Sequence, residues 1–138
     1  MRGRRIAFDY GDARIGVAIC DPDGILATPL PFLDARKPKV IKDVIALFEE
    51  YEPIAIYLGK PQHLSGADGD SVVKVEVFAS AIREVTATPI HFVDERLTTV
   101  DAQRKLREAG KSAKESRSLI DSMAAVAILE AGLASEAR

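Results

Sequence analysis

Tryptophan is absent from this 138-residue chain, cysteine occurs once, at Cys20, and histidine twice, at His63 and His91. Each scarcity removes a class of function. A lone cysteine cannot close an internal disulfide, so the fold must rest on a packed core, and the chain suits a reducing compartment. Cys20 ends the apolar run Ile15-Gly16-Val17-Ala18-Ile19 and reads as a small buried hydrophobe. His63 and His91 lack zinc-motif spacing, so a zinc centre has no ligand set. No apolar stretch approaches the length of a membrane span. Met1-Arg2-Gly3-Arg4-Arg5 carries the charge of a signal-peptide start, but Asp9 and Asp12 interrupt the apolar segment that should follow. A cytoplasmic protein is expected, with no membrane partner. Aromatic residues make up only 6%, which leaves the core to Ile, Val, Leu and Ala.

What is present is an ordinary globular balance, 47% hydrophobic and 29% charged, in a length that suits one domain. The net charge of −2 gives no global attraction to nucleic acid. Its distribution says more. Arg104, Lys105, Arg107, Lys111, Lys114 and Arg117 face only Glu108 and Glu115 within their segment, and the rest of the chain is net acidic. Such a segment is either a phosphate-gripping patch or a solvated loop and helix face.

The chain opens on two short apolar runs, roughly 5–10 and 14–20, around a turn built on Gly11 and Asp12, which predicts a β-hairpin. Asp21-Pro22-Asp23-Gly24 has the pattern of a type I turn and leads to a third strand, roughly 25–33. Pro38 opens a helix with Val40, Ile41, Val44, Ile45 and Phe48 at helical spacing, and Pro53 stops it. Ile54 to Leu58 is a continuous apolar strand, followed by turn chemistry from Gly59 to Gly69. A second helix, roughly 70–86, carries Val75, Phe78, Ile82 and Val85 on one face, and Ile90 to Val93 forms the next strand. Thr98 or Thr99 caps a third helix that Gly110 ends, and Lys111 to Ser118 reads as a polar, mobile link. The last helix, roughly 119–134, has a stripe of Ile120, Met123, Ala124, Ala127, Ile128 and Ala131, with Asp121 in its first turn. The expected fold is α/β: a five-stranded mixed sheet, three antiparallel strands plus two parallel, flanked by helices.

With strand one central and strand four parallel to it, Asp9, the loop after Leu58 and Asp94-Glu95 would share one sheet edge. Asp9 is the odd residue of its strand, since a carboxylate ending a buried run needs partners or a cation. Two carboxylates about 4 Å apart repel by roughly 4 kcal/mol at an effective dielectric near 20, so a cluster calls for a proton or a divalent ion. Oxygen ligands without Cys or His favour Mg²⁺ or Mn²⁺. Each acid also has a structural reading. Asp9 can begin the turn before Gly11, Glu95 can pair with Arg96 or Arg83, and Ser118-Leu119-Ile120-Asp121 can be a capping box.

Phe8-Asp9-Tyr10-Gly11 with Arg14-Ile15-Gly16-Val17-Ala18, then Leu58-Gly59-Lys60-Pro61 with Gly66, then Asp94-Glu95-Arg96-Leu97-Thr98-Thr99, then Asp121-Ser122-Met123-Ala124-Ala125 resemble the YqgF family in order and spacing. Its members are described as Holliday junction resolvases and as precursor 16S ribosomal RNA nucleases. The resemblance implies one ribonuclease H-like nuclease domain over residues 1–138. It also implies a catalytic metal held by Asp9, Glu95 and Asp121, with Asp94 as a further candidate. Lys60 is a departure, because the family usually has an apolar residue there.

The implied chemistry is phosphodiester hydrolysis assisted by one or two metals. Arg14, Lys60, Arg96, Arg104, Lys111, Lys114 and Arg117 are the candidates for gripping the nucleic-acid backbone, which positions a substrate without reading its sequence. Tyr10 and Tyr57 are the aromatics expected near the edge. A four-way DNA junction has two equivalent strands and would suit a symmetric homodimer, whereas precursor ribosomal RNA requires no such symmetry. Two rivals remain at this stage. One is a non-catalytic ribosome- or RNA-binding module. The other is an actin-like or kinase-like phosphate-binding half-domain, suggested by Asp9-Tyr10-Gly11 with Gly16.

Overall fold

Strand β1 (Arg5–Tyr10) is central, and its apolar residues are buried on both sides as their continuous run requires. The computed structural model describes residues 2–61, 69–95 and 113–137, with the side chains of the last helix described from Ser122 onward. Strands β2 (Arg14–Cys20) and β3 (Ala27–Asp34) complete an antiparallel meander, and α1 (Val40–Tyr51) leads into β4 (Ala55–Lys60). Helix α2 (Gly69–Arg83), β5 (Ile90–Asp94) and α3 (Ala113–Glu136) follow. The sheet order is β3-β2-β1-β4-β5, with β1·β4 and β4·β5 parallel and the meander pairs antiparallel. The five-stranded mixed sheet expected from the sequence is therefore the observed one.

Alternation along the strands gives the two faces different coverings. Ile6, Phe8, Ile15, Val17, Ile56 and Leu58 pack under α1 and α2, with Phe78 meeting Phe8 edge to face. Ala7, Ala18, Cys20, Ala55 and Tyr57 pack under α3, where small residues let the helix approach closely. Gly132 on α3 belongs to this fit: a Cβ there would stand 2.6 Å from the Tyr57 ring.

Several local expectations change. Strand β3 begins at Ala27, because the Asp21 carboxylate accepts the N–H groups of Ile25 and Leu26 and holds both in the turn, side chains exposed. Helix α2 ends at Arg83, so Val85 lies beyond it and is 39% exposed. Helix α3 starts at Ala113, which makes 113–118 helix instead of a link and moves Asp121 from the first turn to the interior. That placement removes the capping-box reading of Ser118 to Asp121. The buried stripe is partly as expected and partly rotated: Ala127 and Ile128 are buried, but Ser122, Ala125 and Leu129 are fully buried while Met123, Ala124 and Ala131 are only partly so. A sheet of small residues accepts the helix on its alanine and glycine side. The helix expected between Thr98 and Gly110 lies outside the described residues.

Candidate active site

The carboxyl ends of β1, β4 and β5 share one edge because the three strands are parallel. Ile6, Phe8 and Tyr10 face α1 and α2, so the pleat turns Asp9 with Ala7 toward α3. Asp9 is half-buried and opposite Gly16 of β2. The same parity sorts the two acids that end β5. Asp94 pairs with Lys60, and both belong to the face away from α3. Glu95 is on the α3 face: a Cβ added to Gly59 would lie 2.5 Å from its Oε1 and 2.5 Å from Ile128 Cδ1. Gly59 thus leaves the space that the Glu95 side chain fills. It follows Leu58, the register partner of Phe8, so the Glu95 carboxylate lies over the strand next to Asp9 and on the same face, neighbouring strands being about 5 Å apart.

The α3 backbone reaches the same place at Ser122. The β2–β3 ladder is irregular between Ile15 and Val17, where Pro31 cannot donate a hydrogen bond. Ser122, fully buried, fills the gap. Its Oγ accepts the Val17 N–H at 3.3 Å and its hydroxyl donates to the Leu30 carbonyl. Val17 adjoins Gly16, the partner of Asp9, so the α3 backbone at 121–122 is pinned beside that pair. The Asp121 side chain itself lies outside the described residues. Among the described residues no three Asp, Glu, His or Cys side chains form a metal-holding group.

Of the candidate phosphate contacts, Arg14 is on the same face as Asp9, its guanidinium 5.2 Å from the centroid of Phe32. Lys60 is on the opposite face, where its Nζ donates to Glu76 at 3.0 Å and lies 4.8 Å from the Phe92 centroid. Arg96, Arg104 and Lys111 fall outside the described residues; Lys114 and Arg117 are within α3, their side chains not described. Neither aromatic expected at the edge is presented for stacking. Tyr10 is stacked on Phe78, and Tyr57 is buried with its hydroxyl donated to Glu136. A cleft of about 260 Å³ opens at this edge between Tyr10, Asp12, Pro61, Ser71, Lys74 and Glu95, with the Asp12–Lys74 ion pair at 2.9 Å.

Sequence reasoning missed Ser122 as the residue that ties α3 to the sheet; a serine beside an aspartate in an apolar helix was the available signal. It also missed the far end of the sheet, where buried Arg5 pairs with Glu136 at 2.7 Å. No short-range signal links residues at opposite ends of the chain.

A family model described as RuvX, Holliday junction resolvase, matches residues 3–135. A relative from Streptomyces avermitilis, named as a pre-16S rRNA nuclease, is 51% identical over 137 residues, covering 98% of this chain and 88% of the relative. One of the same name from Mycobacterium tuberculosis is 47% identical over 134 residues, covering 96% and 79%. Among solved structures, Thermus thermophilus RuvC in complex with a Holliday junction substrate superposes with a TM-score of 0.60 at 14% identity, covering 98% of this chain and 96% of that one. A second Thermus thermophilus RuvC structure gives 0.58 at 15% identity, covering 97% and 96%. The superposition gives this chain the ribonuclease H-like fold of these neighbours, and the chain belongs to the RuvX family of nucleases, the YqgF family of the sequence resemblance.

Proposed function

We propose that this protein is a divalent-metal-dependent nuclease that hydrolyses phosphodiester bonds at the 5′ end of precursor 16S rRNA, with Asp9, Glu95 and Asp121 as its catalytic and metal-holding carboxylates. The observation that carries the reading is the placement of Glu95 over Gly59, one strand from Asp9 and on the same face. Asp94, on the other face, is left out of the ligand set. The donor set fits Mg²⁺ or Mn²⁺, since it consists of carboxylate oxygens without a thiolate or imidazole. A bound ion there would lower the pKa of water and stabilise the leaving oxygen. The chain's own part is to hold the acids on one rigid face and to orient a phosphate with Arg14, whose guanidinium Phe32 fixes in place. The single domain would work in the cytoplasm, where its substrate is made.

The family description favours a second reading, cleavage of four-way DNA junctions. That reading carries a requirement for two copies of the chain related by two-fold symmetry, because a junction offers two equivalent strands. Cleavage of precursor rRNA, single-stranded DNA and a DNA junction in Mn²⁺ separates the two, with sedimentation giving the oligomeric state.

Asp9→Asn should lower cleavage by about 10²–10⁴, the equivalent of several kcal/mol of transition-state stabilisation. Glu95→Gln should do the same, and Asp94→Asn should cut at close to the native rate. Native-rate cutting by Asp9→Asn would overturn the site. Binding without cutting by the native chain would favour a non-catalytic RNA-binding module.

A further inference from the structure

The corner between β3 and α1 holds four bases and no acid in seven residues, Arg36-Lys37-Pro38-Lys39-Val40-Ile41-Lys42, in a chain whose net charge is −2. All four bases are exposed. Their position follows from topology. Because β3 runs parallel to β1, its carboxyl end lies on the same sheet edge as Asp9. Asp34 is the register partner of Arg14, and the Ala35 N–H donates to the Ala13 carbonyl at 3.0 Å, which ties the corner to the β1–β2 turn. A shallow cleft of about 380 Å³ runs between Lys37, Pro38, Lys39, Lys42 and Asp43.

Folding does not explain these charges. Lys39 and Lys42 stand at the start of α1, where the helix dipole disfavours cations, and no side chain caps that end. Among the described residues neither has an ion-pair partner. Arg36 and Lys37 pair with Asp34 at 3.4 Å and Asp43 at 3.7 Å, exposed contacts that contribute little and exchange readily for a stronger anion. A fold that places repelled cations on the rim of its carboxylate edge has arranged them for something outside itself.

We propose that Arg36, Lys37, Lys39 and Lys42 form a second phosphate-backbone contact surface of the nuclease, a proposal that rests on the nuclease reading above. Two strand spacings, about 10 Å, separate β3 from β1, and the bases lie beyond the end of β3, so the surface is at least about three duplex phosphates from the Asp9 position. Lysines on this surface act as point charges on phosphates and give no base readout, which suits a substrate recognised by its shape.

The test uses the full chain and the variant Lys37→Ala/Lys39→Ala/Lys42→Ala, with fluorescent probes bound in the presence of a chelator so that nothing is cut. One probe is a four-way DNA junction and the other an RNA hairpin with a 5′ extension; whichever binds identifies the source of the phosphates. The salt dependence of log affinity should become less steep by about 2–3, and affinity at 0.1 M salt should fall by about tenfold or more. In Mn²⁺, KM should rise with kcat unchanged. Lys39→Glu/Lys42→Glu should weaken binding further, while the melting temperature of both variants stays near the native value. Probes shortened to fewer than about three nucleotides beyond the cleavage position should bind native chain and variant alike. An unchanged salt slope in a folded variant, or no binding of either probe by the native chain, overturns the proposal. Metal-dependent cutting that survives Asp9→Asn overturns the site reading instead, and leaves the salt slopes to judge this surface.

Discussion

The two ends of the sheet lie under one helix and treat charge in opposite ways. At the amino edge, Arg5 on β1 meets Glu136 in the last turn of α3, and the Tyr57 hydroxyl donates to the same carboxylate. At the carboxyl edge, Asp9 and Glu95 bring like charge to one face, and Ser122 pins α3 beside them. A cation supplied by the chain closes the first end. On the reading proposed above, the second end would hold a divalent cation between acids brought together from two strands. Charge balanced within the fold points to stability, and charge gathered at an open edge points to chemistry.

The most damaging way to break this division is Ser122→Ala. It leaves the Val17 N–H and the Leu30 carbonyl without their buried partner, which should lower stability by about 3 kcal/mol, read as a shift of the urea midpoint. Because Ser122 pins the helix next to Asp121, cleavage by the folded fraction should fall as well. Ser122→Thr, which keeps the hydroxyl, should restore part of both. Native kcat in folded Ser122→Ala would show that the α3 register does not control the site.

Two glycines sharpen the contrast, with an expected effect of about 2 kcal/mol at one end and less at the other. In Gly132→Ala the new methyl meets the rigid Tyr57 ring at 2.6 Å, so stability should fall while the folded protein cuts normally. In Gly59→Ala the neighbours are the tips of two flexible chains, Glu95 and Ile128. These can swing aside cheaply, but Glu95 then leaves its place, so cleavage should fall with little loss of stability. Melting curves and single-turnover cleavage of the two variants check the pair. Equal loss of stability with retained activity in both would remove the distinction between the ends.

This asymmetry also explains what could be read from the sequence. The hairpin, the strand order and the edge occupied by Asp9 and Glu95 follow from local apolar runs and the parity of parallel strands. Glu95 could not be separated from Asp94 without the register, because a one-residue change exchanges the faces. The stripe of α3 held at Ala127 and Ile128 but was otherwise misphased, since alanine-rich helices have little hydrophobic contrast, and what selects the buried side is fit against Tyr57 and the β2–β3 irregularity. Arg5 with Glu136, and Ser122 with Val17, join residues more than a hundred positions apart, where no periodicity reaches. The bases of the β3–α1 corner were visible as letters, but only the direction of β3 places them at the sheet edge that Asp9 shares.

The smallest expected effect is the titration of the amino edge. Burial opposes ionisation of Glu136, yet hydrogen bonds from Arg5 and Tyr57 outweigh it and hold the carboxyl below its ordinary value of 4.5. The folded state therefore binds this proton less readily than the unfolded chain. Its contribution is complete above pH 4.5 and is lost as the pH falls through the lower folded value. Burial, followed by the bond to Glu136, raises the Tyr57 pKa, so the phenol stays a neutral donor throughout. Because Glu136 is 35% exposed, the pair should contribute only about 1 kcal/mol at pH 7. Glu136→Gln should lower the urea midpoint by that amount at pH 7 and converge with the native chain near pH 3, with kcat unchanged at neutral pH. A constant gap at every pH would assign the stability of this edge to packing around Tyr57. A loss of kcat would mean that the two ends are coupled through α3.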